Sequence, residues 1–509
     1  MIVQRKAAPA NNPPIHDVIV VGAGPGGSTA ANLLARRGIS TLLLDKSDFP
    51  RDKVCGDGLT PQAIYWLERL GCVDDVLAET NACIKDCDLH INGRHLLTAG
   101  FPDDTIYPAF AVLLDRRRFD NILLRNAIAK GASFEPGTTV RGIKAGEDCM
   151  HVQAVRDGKT VEHRARIVIG ADGVSSVVSR AIGNSLKSGA TAVSLRAYYR
   201  DVDCPGAQVK VYFDREYFPG YGWAFVDDDG FANIGLGYAF DGNFPLLSGL
   251  NRAFDKFLAT DLKDMLRRAT RCGKVGGGAV AFYRPRRIVA DRVMLVGDAA
   301  NQADPLNGGG IHKAMESAHF AAETAAYALS AGEFSAQTLS VYESLWQEEV
   351  EQDWLTAEMF LAIAKNPNLK DFCLYLLTQI AALNRADPRF KTFCSGVFSG
   401  VVAQGSVLSL RVLYEAFPKE ADTWLAYLRS QGGITAGTLR VAGGAAISLA
   451  RASVGALRDP LTNTRWGLEV ATKAVHLAGK QFSRALTQGG RVSNETRQEK
   501  ALWHRSWGR

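Results

Sequence analysis

Asp17-Val18-Ile19-Val20-Val21-Gly22-Ala23-Gly24-Pro25-Gly26-Gly27 is an apolar strand running straight into a glycine-rich turn, and the residues after it complete the unit. A helix is expected over residues 28–37 and a second apolar strand over residues 41–44, with an acid, Asp45, closing the run. Gly22 permits a tight turn, Gly24 lets backbone approach a pyrophosphate, and Gly27 lets helix pack close to strand. The free N–H groups at the helix start favour an anion. An acid about twenty residues beyond such glycines accepts hydrogen bonds from a ribose. Strand, turn, helix, strand and acid in this order imply a βαβ unit that holds a dinucleotide.

Around this unit, 509 residues allow two or three domains with real cores. An apolar fraction of 47% and a charged fraction of 22% suit a soluble globular chain. The nine cysteines are odd in number and show no paired metal-ligand spacing. Neither a disulfide scaffold nor a metal centre is expected, and a reducing cytoplasm is the natural setting. The net charge of +6 is uneven: from residue 430 onward twelve Lys/Arg face four Asp/Glu, so that tail carries +8 and the rest −2. This pattern calls for no nucleic acid and points to an anionic partner local to the C-terminal end.

Along the chain, residues 1–15 read as a disordered lead-in. Helices are expected over residues 60–77 and from Asp115 to Ala129, followed by strands near 152–155 and 167–169 that lead to Gly170-Ala171-Asp172-Gly173. Residues 191–284 alternate β-patterned runs with Gly, Pro and Asp turns, the profile of an antiparallel sheet inserted between two halves of the first domain. That domain resumes at Val293-Met294-Leu295-Val296-Gly297-Asp298, and a helix with one apolar face begins near Gly310. Residues 346–509 read as helical, with no second glycine fingerprint.

Three distant segments carry the chemistry: Gly22 to Gly27, Gly170-Ala171-Asp172-Gly173 with Ser176 and Arg180, and Gly297-Asp298-Ala299-Ala300 with Pro305. Their order and spacing resemble the flavoprotein superfamily of the aromatic hydroxylases, in which FAD lies extended across a discontinuous domain. The resemblance implies that Arg116 supports the pyrophosphate region and that Asp298 binds the ribityl chain. Ahead of the long helix, Asn307-Gly308-Gly309-Gly310 leaves a helix N-terminus free of side chains, so Gly309 and Gly310 can approach the flavin's pyrimidine edge, where reduction accumulates negative charge.

Two further motifs narrow the resemblance. Phe49-Pro50-Arg51-Asp52-Lys53-Val54-Cys55-Gly56-Asp57-Gly58-Leu59 resembles the signature of the geranylgeranyl reductase family, which saturates isolated double bonds of prenyl chains. Tyr221-Gly222-Trp223-Ala224-Phe225-Val226 is similar to that family's Tyr-x-Trp-x-Phe-Pro segment, with Val226 in place of proline. An isolated alkene has no carbonyl to polarise it, so its reduction needs tight positioning and a proton donor near one carbon. Cys55 is the candidate for lining the site and supplying or relaying that proton, and Tyr221 and Trp223 for lining the channel of an apolar prenyl substrate. Read as structure alone, Cys55 is a small buried hydrophobe and the aromatics are core residues of a half-buried strand.

The expected fold class is α/β: a discontinuous Rossmann-like FAD-binding domain over residues 16–190 and 285–345, an inserted antiparallel β-sheet substrate domain over 191–284, and a C-terminal helical extension over 346–509. By the resemblance, the cofactor is FAD, with NADPH or reduced ferredoxin as electron donor. A monooxygenase or halogenase uses the same FAD domain and stands as the second reading, a non-catalytic escort of prenylated partners as the third. Within the tail, Arg465, Glu469, Lys473, His476, Lys480 and Arg484 make one polar stripe while Trp466, Val470, Ala474, Leu477 and Phe482 fall elsewhere, a basic amphipathic helix suited either to peripheral contact with a membrane or, as structure alone, to packing on its own domain with a solvated polar face. The uncharged run 392–410 carries four serines and three glycines and is expected to be a buried or interfacial helix rather than a membrane span.

Overall fold

The computed structural model describes residues 13–184, 191–240, 247–386 and 460–487, with 396, 399–401, 429 and 443 between them. Three sheets organise these residues, and the first carries the dinucleotide unit. It runs β17 (Val289–Ala290), β18 (Val293–Leu295), β11 (Lys159–Gly170), β1 (Ile15–Val21), β2 (Thr41–Leu44) and β8 (Ser133–Glu135), and β10 (Met150–Arg156) and β9 (Thr139–Ala145) fold back from β11. Strands β18, β11, β1, β2 and β8 are parallel. Val18, Ile19 and Val20 are fully buried, as a parallel strand covered on both faces requires.

Helix α1 (Pro25–Ala35) starts three residues earlier than the apolar periodicity suggested, because Gly24 is its N-cap and Pro25 occupies the first turn, where a missing N–H costs nothing. The helix expected over residues 60–77 is two helices, α2 (Pro61–Leu70) and α3 (Val73–Glu79). Gly71 ends α2 in the left-handed region at φ 68°, a C-cap that continuous apolar spacing conceals. Helix α4 (Arg116–Ala129) is capped by Asp115, whose side chain accepts from the N–H groups of Arg117 and Arg118. The short α5 is Val177–Ala181.

The second sheet runs β16 (Thr270–Ala281), β12 (Thr191–Arg200), β15 (Ala232–Phe240), β14 (Gly222–Val226), β13 (Gln208–Phe213), β5 (Asp86–Ile91) and β6 (Arg94–Gly100). It is antiparallel except where β13 meets β5. Its last two strands come from residues 86–100, in the stretch read from sequence as part of the first domain. Pairing across more than a hundred residues leaves no local signature. Helix α6 (Leu247–Thr260) covers one face, where Phe254 and Phe257 join Ala224, Ile234 and Leu236 in a second core. A small third sheet joins β3 (Gly58–Leu59), β7 (Ala111–Leu113) and β4 (Cys83–Ile84).

Helix α7 (Ile311–Ala331) packs on α1, and α8 (Ala336–Ala364) on α7, which brings the start of the chain and residues near 300 to one place. Helix α9 (Lys370–Ala386) lies against β6, and α10 (Pro460–Thr487) against α8. Trp466 donates its indole N–H to Ala362 O at 2.8 Å, and Asn366 donates to Asn463 at 3.0 Å. The helical reading thus holds for the described part of the tail, and no described helix is long and apolar enough to cross a membrane. The run 392–410 lies outside the described residues apart from 396 and 399–401, as does the lead-in apart from residues 13–15, of which Ile15 already belongs to β1.

Candidate active site

The fingerprint turn is held by backbone contacts that leave no room for side chains. Gly22 has φ 99°, and a Cβ there would stand 2.4 Å from Ala171 O. At Gly27 a Cβ would stand 1.7 Å from Gly22 O, so this glycine lets the helix start lie on the preceding turn. Gly26 faces α7, where its Cβ would meet Ala314 O at 3.2 Å. Asp45 closes the unit: one carboxylate oxygen accepts the Ala23 N–H and the other the Ser47 N–H, both at 2.8 Å.

A cavity opens from this turn toward the second sheet. Its lining includes Gly24, Pro25, Gly26, Ala171, Gly297, Asp298, Gly308 and Gly310, together with Ala192, Val193 and Val280 from the second sheet, Phe282 just past β16, and Leu361 from α8. Cys55, Arg116, Tyr221 and Trp223 line the same cavity. Eight sequence-proposed residues therefore meet here: Gly24, Cys55, Arg116, Tyr221, Trp223, Gly297, Asp298 and Gly310. Gly22, Gly27, Asp45, Asp172 and Gly309 do not line it. Asp172 instead holds α5, accepting the Val177 N–H at 2.6 Å, and burial raises its carboxyl pKa.

The glycine side fits FAD. A Cβ on Gly24 would meet only the Arg51 guanidinium at 3.7 Å, and one on Gly310 only Asp298 and Ala303, at 3.5 and 3.7 Å, so both positions present bare backbone beside the cavity. Gly24, Gly26 and Ala171 would hold the phosphates and Asp298 the ribityl hydroxyls. The loop after Asp298 is braced: the Asp304 carboxylate accepts the Leu306 N–H at 2.7 Å, and Asn307 Oδ1 accepts the Gly309 N–H at 2.7 Å. Behind it His312 is buried, its pKa pushed down to about 3 by loss of solvent and by the neighbouring Lys313, so a neutral imidazole faces Thr60 at 3.2 Å.

Arg116 lines the cavity and is held from within its own helix. Its guanidinium forms a two-pronged pair with Asp120 at 2.7 and 2.8 Å, and Arg51 reaches the same carboxylate at 2.9 Å. Burial works against the charge on Arg116, but Asp120 first and then the Cys55 thiol raise its pKa on balance. A fixed cation therefore stands beside Cys55.

Trp223 packs its indole against Gly235, where a Cβ would come 2.0 Å from the ring. Its N–H donates to Asn233 at 2.9 Å. The Asn233 amide donates in turn to Cys55 O and to Asp57, both at 2.7 Å, and the Tyr198 hydroxyl donates to Asp57 at 2.6 Å. Sequence reading missed Asn233 and Asp57. The available signal was a polar residue inside the apolar run Ala232-Asn233-Ile234, since a buried amide must find partners. No group of three or more His, Cys, Asp or Glu among the described residues could hold a metal.

Fold and site together define an FAD-dependent oxidoreductase of the aromatic-hydroxylase-like flavoprotein superfamily, and residues 16–213 match the FAD binding domain family. The digeranylgeranylglycerophospholipid reductase of Methanothrix thermoacetophila is 31% identical over 366 residues, 71% of this chain and 88% of that one. The crystal structure of a geranylgeranyl bacteriochlorophyll reductase-like protein from Thermoplasma acidophilum superposes with a TM-score of 0.64 at 25% identity, over 73% of this chain and 92% of that one. A myxobacterial chondrochloren halogenase shares the fold, with a TM-score of 0.60 at 24% identity over 69% of this chain and 83% of that one. The chain belongs to the geranylgeranyl reductase family.

Proposed function

We propose that this protein reduces carbon–carbon double bonds of a prenyl chain carried by a lipid, quinone or pigment precursor. The observation that carries the reading is a single cavity that has a bare glycine cradle on one side and, elsewhere on its wall, Cys55, Trp223 and an apolar surface. Bound FAD, once reduced, would supply a hydride. The protein's own part is to hold the chain and furnish the proton. Ala192, Val193, Val280, Phe282 and Leu361 present apolar surface to a prenyl chain, which gains by leaving water. Cys55 Sγ gives its proton to the carbon that does not receive hydride, and the thiolate left behind is stabilised by Arg116 until water restores the proton. An aromatic wall of Tyr221 and Trp223 keeps bulk water from the reacting carbons.

Electrons come, in this reading, from NADPH or reduced ferredoxin. We place the protein in the cytoplasm with peripheral contact at a membrane through α10, where Leu468 and Val475 are 65% and 73% exposed beside the exposed Arg465. Lys473 turns inward to Glu358 at 3.6 Å, so the polar stripe read from sequence contributes fewer free cations than it contains. The test is lipid mass spectrometry of cells with and without this chain, complemented by Cys55→Ala. Loss of isoprenoid saturation in both the deletion and the variant is expected. Unchanged saturation in the deletion would reject the reading.

A further inference from the structure

Three side chains, Trp223, Asn233 and Asp57, converge with the Cys55 backbone carbonyl at the cavity wall, and their donors and acceptors can be matched in one way. The Trp223 indole N–H can only donate and the Cys55 carbonyl can only accept. Asn233, 4% exposed, lies between them with its Oδ1 toward the indole at 2.9 Å and its amide N–H groups toward Cys55 O and Asp57, each at 2.7 Å. All of the amide's protons are used. The cross-strand register supports this: Trp223 pairs with Gly235 and Phe225 with Asn233, so the indole crosses the bare Gly235 and ends at the amide two residues along.

We propose that Asn233 is a positioning residue of this site, one amide that fixes the Cys55 backbone and the Trp223 indole at a set distance across the cavity wall. The inference rests on the reduction assigned to Cys55 above and adds how the thiol is kept in place. Gly56 follows Cys55 with little space to move, since a Cβ on it would meet the Phe225 ring at 3.0 Å and the Trp223 indole nitrogen at 3.6 Å. Asp57 is buried at φ 64° and supports the amide, its carboxylate accepting from Asn233 at 2.7 Å and its backbone carbonyl accepting the Leu114 N–H at 3.1 Å. The groups that face Asp57 are Tyr198 and Arg196 from β12, Asn233 from β15 and Arg116 from α4. The Cys55 to Asp57 loop is thereby tied to the second sheet through Asn233 and Tyr198 as well as to Leu114 beside α4.

The decisive variant is Asn233→Asp, the same shape with acceptors where the amide donates. The expected result has three parts: FAD content as in the wild type, kcat lower by about ten- to a hundred-fold with a smaller change in KM, and partial recovery of kcat as pH falls and the new carboxyl takes a proton that it can donate. Alkylation of Cys55 by iodoacetamide, mapped by mass spectrometry, should change several-fold in rate, and this readout does not depend on reductase activity. A wild-type alkylation rate and wild-type kcat in Asn233→Asp would overturn the proposal. So would a kcat loss that is independent of pH and accompanied by equal loss of FAD. Should that variant not fold, Tyr198→Phe removes the outer bond to Asp57: a fall in kcat with intact FAD content supports the proposal, and unaltered kcat and Cys55 alkylation reject it. An inactive wild type whose Cys55 alkylation still responds to Asn233→Asp would reject the reductase reading while leaving the positioning role supported.

Discussion

The Tyr221 hydroxyl donates to the backbone carbonyl of Asn307 at 2.6 Å, joining the segment before β14 to the glycine loop ahead of α7. The flank of the second sheet and the glycine loop thus meet at this phenol, whose pKa is raised by burial and by the nearby Cys55. Tyr221→Phe keeps the ring in the wall and frees the loop. A buried hydrogen bond of this kind is worth about 1 kcal/mol, so FAD affinity should fall roughly three- to tenfold. Flavin fluorescence titration checks this, and an unchanged Kd would show that the loop holds its shape without the tie.

Two glycines of the fingerprint should fail differently. Gly27→Ala puts a Cβ 1.7 Å from Gly22 O, a clash between backbones that nothing flexible relieves. Gly24→Ala meets only an arginine tip at 3.7 Å. The first variant should be poorly folded by circular dichroism, whereas the second should fold and take up FAD weakly. Equal folding of both would mean that Gly27 is not a packing glycine.

Stability should carry the imprint of Asp57. Burial pushes its carboxyl up to about 6 from 3.8, against the bonds from Tyr198 and Asn233 that favour the ionised form. A proton held more tightly folded than unfolded contributes stability that is complete below 3.8 and is lost as pH rises through about 6. The shift corresponds to about 3 kcal/mol. Urea unfolding between pH 4 and 7 should show this decline in the wild type and a flatter profile in Asp57→Asn, and an identical slope in both would assign the pH dependence elsewhere.

Arg116 and Asp120 form a buried pair, and Arg51 offers the carboxylate a second cation at 2.9 Å. Removing one partner of such a pair costs about 3–5 kcal/mol, so Arg116→Leu should destabilise toward the lower end of that range because Arg51 remains. The double variant Arg116→Leu/Asp120→Leu should recover much of the loss in chemical denaturation. If the double variant were no more stable than Arg116→Leu, the pair would not be the source of the cost.

The parts of this fold that were legible are those written locally. Strand β1, the glycine turn and Asp45 lie within thirty residues, and the Asp115 cap announces α4 in the same way. Where local spacing ran through a break, as at Gly71, the reading gave one helix for two. Residues 86–100 join the second sheet through β13, a partner far along the chain, and no periodicity can name that partner. The site divides likewise: Cys55, Tyr221 and Trp223 stand in motifs, as does Asp57 without a role of its own, whereas Asn233 acts through contacts made only after β14, β15 and the Cys55 loop assemble. Arg116 came from the resemblance, and its buried partner Asp120, one helical turn away, was legible from the i, i+4 spacing.

Saturation of prenyl double bonds in the cavity shared by Gly24, Cys55 and Trp223 can be measured directly. Purified FAD-loaded protein, reduced chemically without oxygen and given a lipid bearing geranylgeranyl chains, tests it by mass spectrometry of the products. The expected products are heavier by two hydrogen atoms for each bond reduced, with the step lost in Cys55→Ala. Folded, FAD-loaded protein that leaves the chains unsaturated, or adds oxygen or halogen to them when oxygen is admitted, would contradict it.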